Sequence, residues 1–158
     1  MVDFEERLGS YKLFCLVYRR RFKTILDLMK AQSDERILDV GAGKGEYALT
    51  FSIAGAHVVG VDLSLSSLQI AKKRSVRQRN LDLILADAQN LPFKAHIFDK
   101  VLCCELLEHV KNDRKSAEGI NFVLKKEGLC VFCVPNVNYP RIYDLINYIV
   151  CKLGGRPI

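Results

Sequence analysis

The 158-residue chain lacks any apolar run near the ~18 residues of a membrane-crossing helix, so no membrane span is expected. Its opening, MVDFEERLGS, carries acids where an export leader needs bases, and the expectation is a cytoplasmic protein. Proline numbers only four and no Gly/Ser-rich or Pro-rich tract occurs, which excludes long linkers and low-complexity segments and favours one globular core. Histidine is limited to His57, His96 and His109. The six cysteines (Cys15, Cys103, Cys104, Cys130, Cys133, Cys151) are expected reduced and mostly buried. Cys130 and Cys133 have CxxC spacing, but residues three apart on a strand point to opposite faces, and the adjacent Cys103 and Cys104 are split in the same way. With so few histidines, no metal site is expected.

What the chain has is a positive balance, +6 formally at pH 7. Much of it falls in two clusters, Arg19, Arg20, Arg21 and Lys23, then Lys72, Lys73, Arg74, Arg77 and Arg79. Both lie in helix-like stretches and read as solvated faces, so a nucleic-acid partner is not expected.

Residues 11–30 place Leu13, Leu16, Val17, Ile25, Leu28 and Met29 at helical spacing, predicting an amphipathic N-terminal helix within a packing segment over 1–35. From Arg36 onward short apolar runs alternate with helical stretches, the pattern of repeated βα units and hence of a parallel sheet spanning 36–158. Strands are predicted at 36–40, 56–61, 83–86, 99–103 and 129–134. Helices are predicted from the glycine-rich turn to about Ala54, from Ser64 as N-cap, at about 114–126 with Gly128 as cap, and at 139–153 with Ile142, Leu145, Ile146 and Ile149 on one side.

Asp39-Val-Gly41-Ala42-Gly43-Lys-Gly45 falls between the first strand and a helix, where glycines admit a ligand close to the backbone and the helix N-terminus presents donors. Asp62 ends the next strand about 20 residues on, placed for ribose hydroxyls. An NAD loop, G-x-G-x-x-G, needs glycine where this chain has Glu46, which disfavours a dinucleotide and ranks an NAD-dependent oxidoreductase last. A Walker loop fails because Gly45, and not Ser or Thr, follows Lys44.

ILDVGAGKGEYA, VVGVDLS, LADAQNLPF, FDKVLCCELLEHV and GLCVFCVPN, in that order over residues 36–136, resemble the successive motifs of class I S-adenosylmethionine-dependent methyltransferases of the small-molecule, ubiquinone-biosynthesis-like branch. The resemblance implies a Rossmann-like, doubly wound α/β sheet of about five strands in the order 3-2-1-4-5. It also implies S-adenosyl-L-methionine as cofactor and methyl transfer to a small-molecule acceptor. Asp39, Gly41, Ala42, Gly43 and Gly45 would hold the methionine end, Asp62 the ribose and Leu63 the adenine face. Asp87 and Ala88 would meet the adenine edge, while Cys104 and Glu105 would line the methyl region. Asp39 and Asp87 also suit plain loop capping at strand ends. Glu105 and His109, at the sheet edge where parallel sheets bind ligands, are the candidate catalytic residues, although His109 equally suits a packing role.

Methyl transfer is an in-line displacement governed by positioning, and the acceptor atom is left open. The family's sheet usually continues beyond the fifth strand with a helix and an antiparallel pair. The short stretch after Pro135 is expected to make a helix only, leaving 129–134 as an open apolar edge for a second copy or partner chain. Such a fragment, or a cofactor-binding subunit without turnover, is the alternative to an active enzyme.

Overall fold

Asp39 and its neighbours alternate strictly inward along one strand, and that alternation divides the molecule into two cores. The structure is a computed structural model describing residues 18–134 and, as backbone, 147–152. The elements are α1 (18–29), β1 (Arg36–Val40), α2 (Glu46–Ile53), β2 (His57–Asp62), α3 (Leu65–Arg74), β3 (Leu81–Leu85), β4 (Phe98–Cys104), a 3-10 turn at Leu107–His109, α4 (Asp113–Val123), β5 (Leu124–Val134) and β6 (Asn147–Lys152). The sheet order is β3-β2-β1-β4-β5-β6, with β1 to β5 parallel. This is the Rossmann-like 3-2-1-4-5 arrangement. The chain crosses from one side of β1 to the other after β3, so the carboxyl ends of β1 and β4 flank a switch point, the usual ligand crevice of such sheets.

Because successive strand residues face opposite ways, Leu38 and Val40 join Val61, Val101, Cys103 and Cys130 under α4, whose Ile120 and Val123 complete that core. Ile37 turns the other way with Val58, Leu102, Val131 and Cys133, and is covered by Ala48 and Phe51 of α2 and by Ile25 and Met29 of α1. All four helix residues are at most 1% exposed, so α1 is part of the fold's second core. Lys100, half-way along the sheet, ties the exit of α1 to β4 by bonding the Lys30 carbonyl (3.0 Å) and pairing with Glu35 (2.8 Å).

Three expectations need correction. Residues 147–152 form a strand antiparallel to β5, not part of a helix over 139–153; the remaining residues of that range lie outside those described. Tyr148, Ile149 and Val150 favour extended backbone, and the unpaired groups along β5 offer it a ladder, which outweighs the helical spacing. The β5 edge expected to be open is therefore covered by β6. The helix after the fourth strand ends at Val123, and Gly128 is not its cap: Leu124 already pairs with Phe98, and the intervening Lys-Lys-Glu-Gly is taken up by a register shift before Leu129 meets Lys100.

Candidate cofactor site

The turn after β1 is shaped by its glycines. Gly41 and Gly45 both have φ +79°, and a Cβ on Gly45 would come within 2.9 Å of the Ala71 Cβ, so neither conformation nor space admits another residue there. Gly45 is also the N-cap of α2, and having no side chain it leaves the first-turn N–H groups without a capping oxygen. Asp39 fills that role from the neighbouring strand: its Oδ2 accepts from the Ala48 N–H at 3.1 Å. Asp39 is 2% exposed, and burial, reinforced by nearby Cys104 and only partly offset by the Ala48 bond, pushes its carboxyl up to about 8. The helix start is further tied to α3 through Arg74, which bonds the Lys44 carbonyl (3.0 Å) and the Glu46 carboxylate (2.7 Å).

At the tip of β2, Asp62 uses both oxygens on backbone, accepting from Gly43 (2.8 Å) and Ser64 (2.7 Å). The carboxylate thus joins two βα turns. Ser64 caps α3 as expected, accepting from Ser67. At the end of β3, Asp87 accepts from the Gln89 backbone (2.8 Å) and from its side chain; the backbone bond is the main reason its carboxyl is held below the ordinary carboxylate range.

Gly41, Asp62, Leu63, Asp87 and Ala88 line one cleft of about 210 Å³, together with Leu106, His109 and Val110. That volume is below the roughly 300 Å³ of the smallest complete ligand sites. Leu63 is an apolar side chain left 67% exposed at its rim, a surface suited to a flat base. Ala42, Gly43 and Gly45 form the turn behind the cleft, Asp39 lies beneath it, and Cys104 and Glu105 stand at the β4 tip; none of these lines that cavity. His109 does, on the same side as the two aspartates, with its side chain 74% exposed and Nε2 3.9 Å from Glu108.

The β4 tip carries a second constellation that sequence reasoning did not assemble. Arg21 belongs to the cluster read as a solvated helix face, yet only Arg19, Arg20 and Lys23 are exposed. Arg21 is turned inward, its side chain 16% exposed, pairing with Glu105 and lying 5.5 Å over the Tyr18 ring. Glu105 has left-handed backbone (φ +51°) and donates its N–H to the Cys133 carbonyl at 2.7 Å. Arg21 Nε and Tyr47 Oη are both buried and, among the described residues, meet no oxygen or nitrogen partner, the phenol being set against the Cys104 sulfur. Burial raises the Tyr47 phenol above its ordinary value, so it stays a neutral donor. The only advance signal was that Arg21 follows Val17 and precedes Ile25 by four residues each, on the apolar stripe of the helix.

Among the described residues no cluster of three or more metal-ligating side chains occurs. Cys103 and Cys130 lie in one core and Cys133 in the other, with Cys104 packed beside it, as strand alternation requires.

Residues 38–132 match the methyltransferase domain family. The chain is 36% identical over 115 residues to a demethylmenaquinone methyltransferase of Clavibacter sepedonicus, covering 70% of this chain and 47% of that protein. It is 33% identical over 146 residues to a ubiquinone biosynthesis O-methyltransferase of Coxiella burnetii, covering 91% and 62%. Among solved structures, YcgJ of Bacillus subtilis superposes with TM-score 0.70 at 25% identity, over 74% of this chain and 51% of that one. The chain therefore belongs to the methyltransferase domain family, whose methyl donor is S-adenosylmethionine. It spans between about half and three-fifths of the length of these curated relatives.

Proposed function

We propose that the protein transfers a methyl group from S-adenosyl-L-methionine to a small aromatic acceptor of the quinol type. The observation that carries the cofactor reading is the convergence of Gly41, Asp62, Leu63, Asp87 and Ala88 on one cleft. The acceptor class rests on the two quinone-pathway relatives.

S-adenosylmethionine, when bound, supplies an electrophilic methyl group on a sulfonium. This chain's residues hold its two ends. Asp62 receives the ribose hydroxyls on lone pairs left over from its backbone bonds, and Asp87 accepts from the adenine amine, its carboxylate kept ionised by Gln89. Leu63 covers the base. At the other end, Arg21 Nε and Tyr47 Oη are donors in need of an oxygen-rich partner, and we assign to them the carboxylate of the methionine moiety. Asp39, Gly43 and Gly45 act through the shape of the turn. Glu105, held by Arg21, serves as a positioning group, and His109 as a wall of the nucleoside cleft. Catalysis then rests mainly on proximity and orientation of acceptor and methyl.

Isothermal titration with S-adenosylhomocysteine and, separately, NADH tests the cofactor reading. Micromolar binding of the first and none of the second is expected; the reverse would end it. A turnover assay with a catechol-type quinol and labelled S-adenosylmethionine tests the acceptor, with label expected on the phenol oxygen or ring carbon.

A further inference from the structure

The cysteines that look paired in the sequence are separated by the sheet, and the sheet pairs two that are remote in the sequence. Cys104 on β4 lies directly opposite Cys133 on β5. Both pack in the core beneath α1 and α2. Parallel neighbours stand about 4.8 Å apart in the hydrogen-bonding direction, inside the 4.4–6.8 Å range of Cα separations that a disulfide spans. Between β4 and β5 this is the one cysteine facing a cysteine, since Cys103 faces Phe132 and Cys130 faces Val101; on the other side of β5, Cys130 lies opposite Cys151 of β6, away from the β4 tip.

We propose that Cys104 and Cys133 form an oxidation-sensitive dithiol that closes reversibly into a disulfide under peroxide. The two positions differ in the way such chemistry requires. Cys104 is partly exposed at the strand tip, whereas Cys133 is 2% exposed. The Cys133 thiol donates to the Cys104 sulfur, and that bond, opposed by burial and aided by the Arg21 guanidinium and the Tyr47 hydroxyl, holds the Cys104 thiol below its ordinary value; Cys133 is raised in consequence. Cys104 is thus the attacking thiolate and Cys133 the resolving thiol.

The Cys104 thiolate attacks one peroxide oxygen, the O–O bond breaks, and the departing hydroxide takes up a proton as water, leaving a sulfenic acid. The Cys133 sulfur then displaces that hydroxyl, which leaves as a second water with the Cys133 proton, and the S–S bond forms. Two electrons pass from the sulfur pair to peroxide. The bridge shortens the Cβ separation to about 3.5–4.5 Å, drawing the β4 tip toward β5. Glu105 follows Cys104 directly and is bonded to the Cys133 carbonyl, so the Arg21–Glu105 pair moves with it. This consequence rests on the cofactor reading above, because it places the moved groups at the methionine end.

The test treats reduced protein with hydrogen peroxide, maps peptides without reduction, and titrates S-adenosylhomocysteine before and after. A cross-linked peptide pair containing Cys104 and Cys133, cleaved by dithiothreitol, is expected, with binding weakened about tenfold and restored on reduction. In Cys133→Ser, Cys104 is expected to proceed to sulfinic acid that dithiothreitol does not reverse. A wild-type protein that gives no such cross-link, or forms sulfinic acid at Cys104 as readily as Cys133→Ser, overturns the proposal. Unchanged affinity in the cross-linked protein overturns its regulatory part. If reduced protein binds no S-adenosylhomocysteine, the cofactor reading fails while the mapped bond still decides the dithiol.

Discussion

The polar groups at the β2 and β3 tips and those at the β4 and β5 tips are built by opposite means. On the β2 and β3 side, the charged groups are already engaged by backbone: Asp62 holds Gly43 and Ser64, and Asp87 holds Gln89. On the β4 and β5 side, charge is matched by charge beneath a helix that arrives from elsewhere, and two buried donors, Arg21 Nε and Tyr47 Oη, lack oxygen or nitrogen partners among the described residues. The first group of polar side chains is satisfied by the fold itself, whereas the second keeps donors in reserve. Under the function proposed above, the first would hold the constant nucleoside and the second the reacting end.

Four experiments put that contrast at risk. The largest effect is expected from Asp62→Ala, which removes the ribose acceptor and strands the Gly43 N–H. S-adenosylhomocysteine affinity should fall by about 1.5–3 kcal/mol, roughly ten- to hundredfold, in a calorimetric titration. Unchanged affinity would remove Asp62 from the site. Arg21→Leu should weaken S-adenosylhomocysteine by about tenfold through loss of a charge-assisted bond, while leaving adenosine binding within about twofold. Equal losses for both ligands would erase the distinction between the two ends.

Asp39→Asn addresses the floor between them. A carboxyl raised to about 8 in the fold, from an ordinary value near 3.8, binds a proton that the unfolded chain has released. Its stabilising contribution is full below pH about 4 and lost as pH rises through about 8. Wild-type protein should therefore show a denaturation midpoint falling across that window, and Asp39→Asn a flatter profile. Identical slopes would show that Asp39 is ionised in the native state. The smallest effect is expected at His109, exposed on the nucleoside side: His109→Gln should change kcat by less than about threefold. A hundredfold loss, the scale of a general base, would restore it as a catalytic residue.

The cleft lined by Gly41, Asp62 and Asp87 was legible in the sequence because each of its parts is local. A strand, a glycine turn and a helix follow one another from Arg36 to Ile53, and Asp62 and Asp87 mark the ends of the next two strands. The other end was not, because its parts are joined only by packing. Arg21 comes from α1, Tyr47 from α2, Glu105 from the β4 tip and Cys133 from β5. Arg21 stood in a basic run whose neighbours do face solvent, and only the closing of α1 over the sheet singles it out. Tyr148, Ile149 and Val150 mislead for a related reason. Local spacing there fits a helix, but the free edge of β5 decides the matter, and edge pairing has no signature in a local window.

Asp62 has one more consequence. A single carboxylate serves as the common anchor of the β1–α2 and β2–α3 turns, so a ligand that polarises it is felt at two amides that belong to different units of the sheet. Gly43 and Ser64 are therefore built-in reporters, whose proton resonances should move in concert as the nucleoside half fills, regardless of what reaches the reacting end.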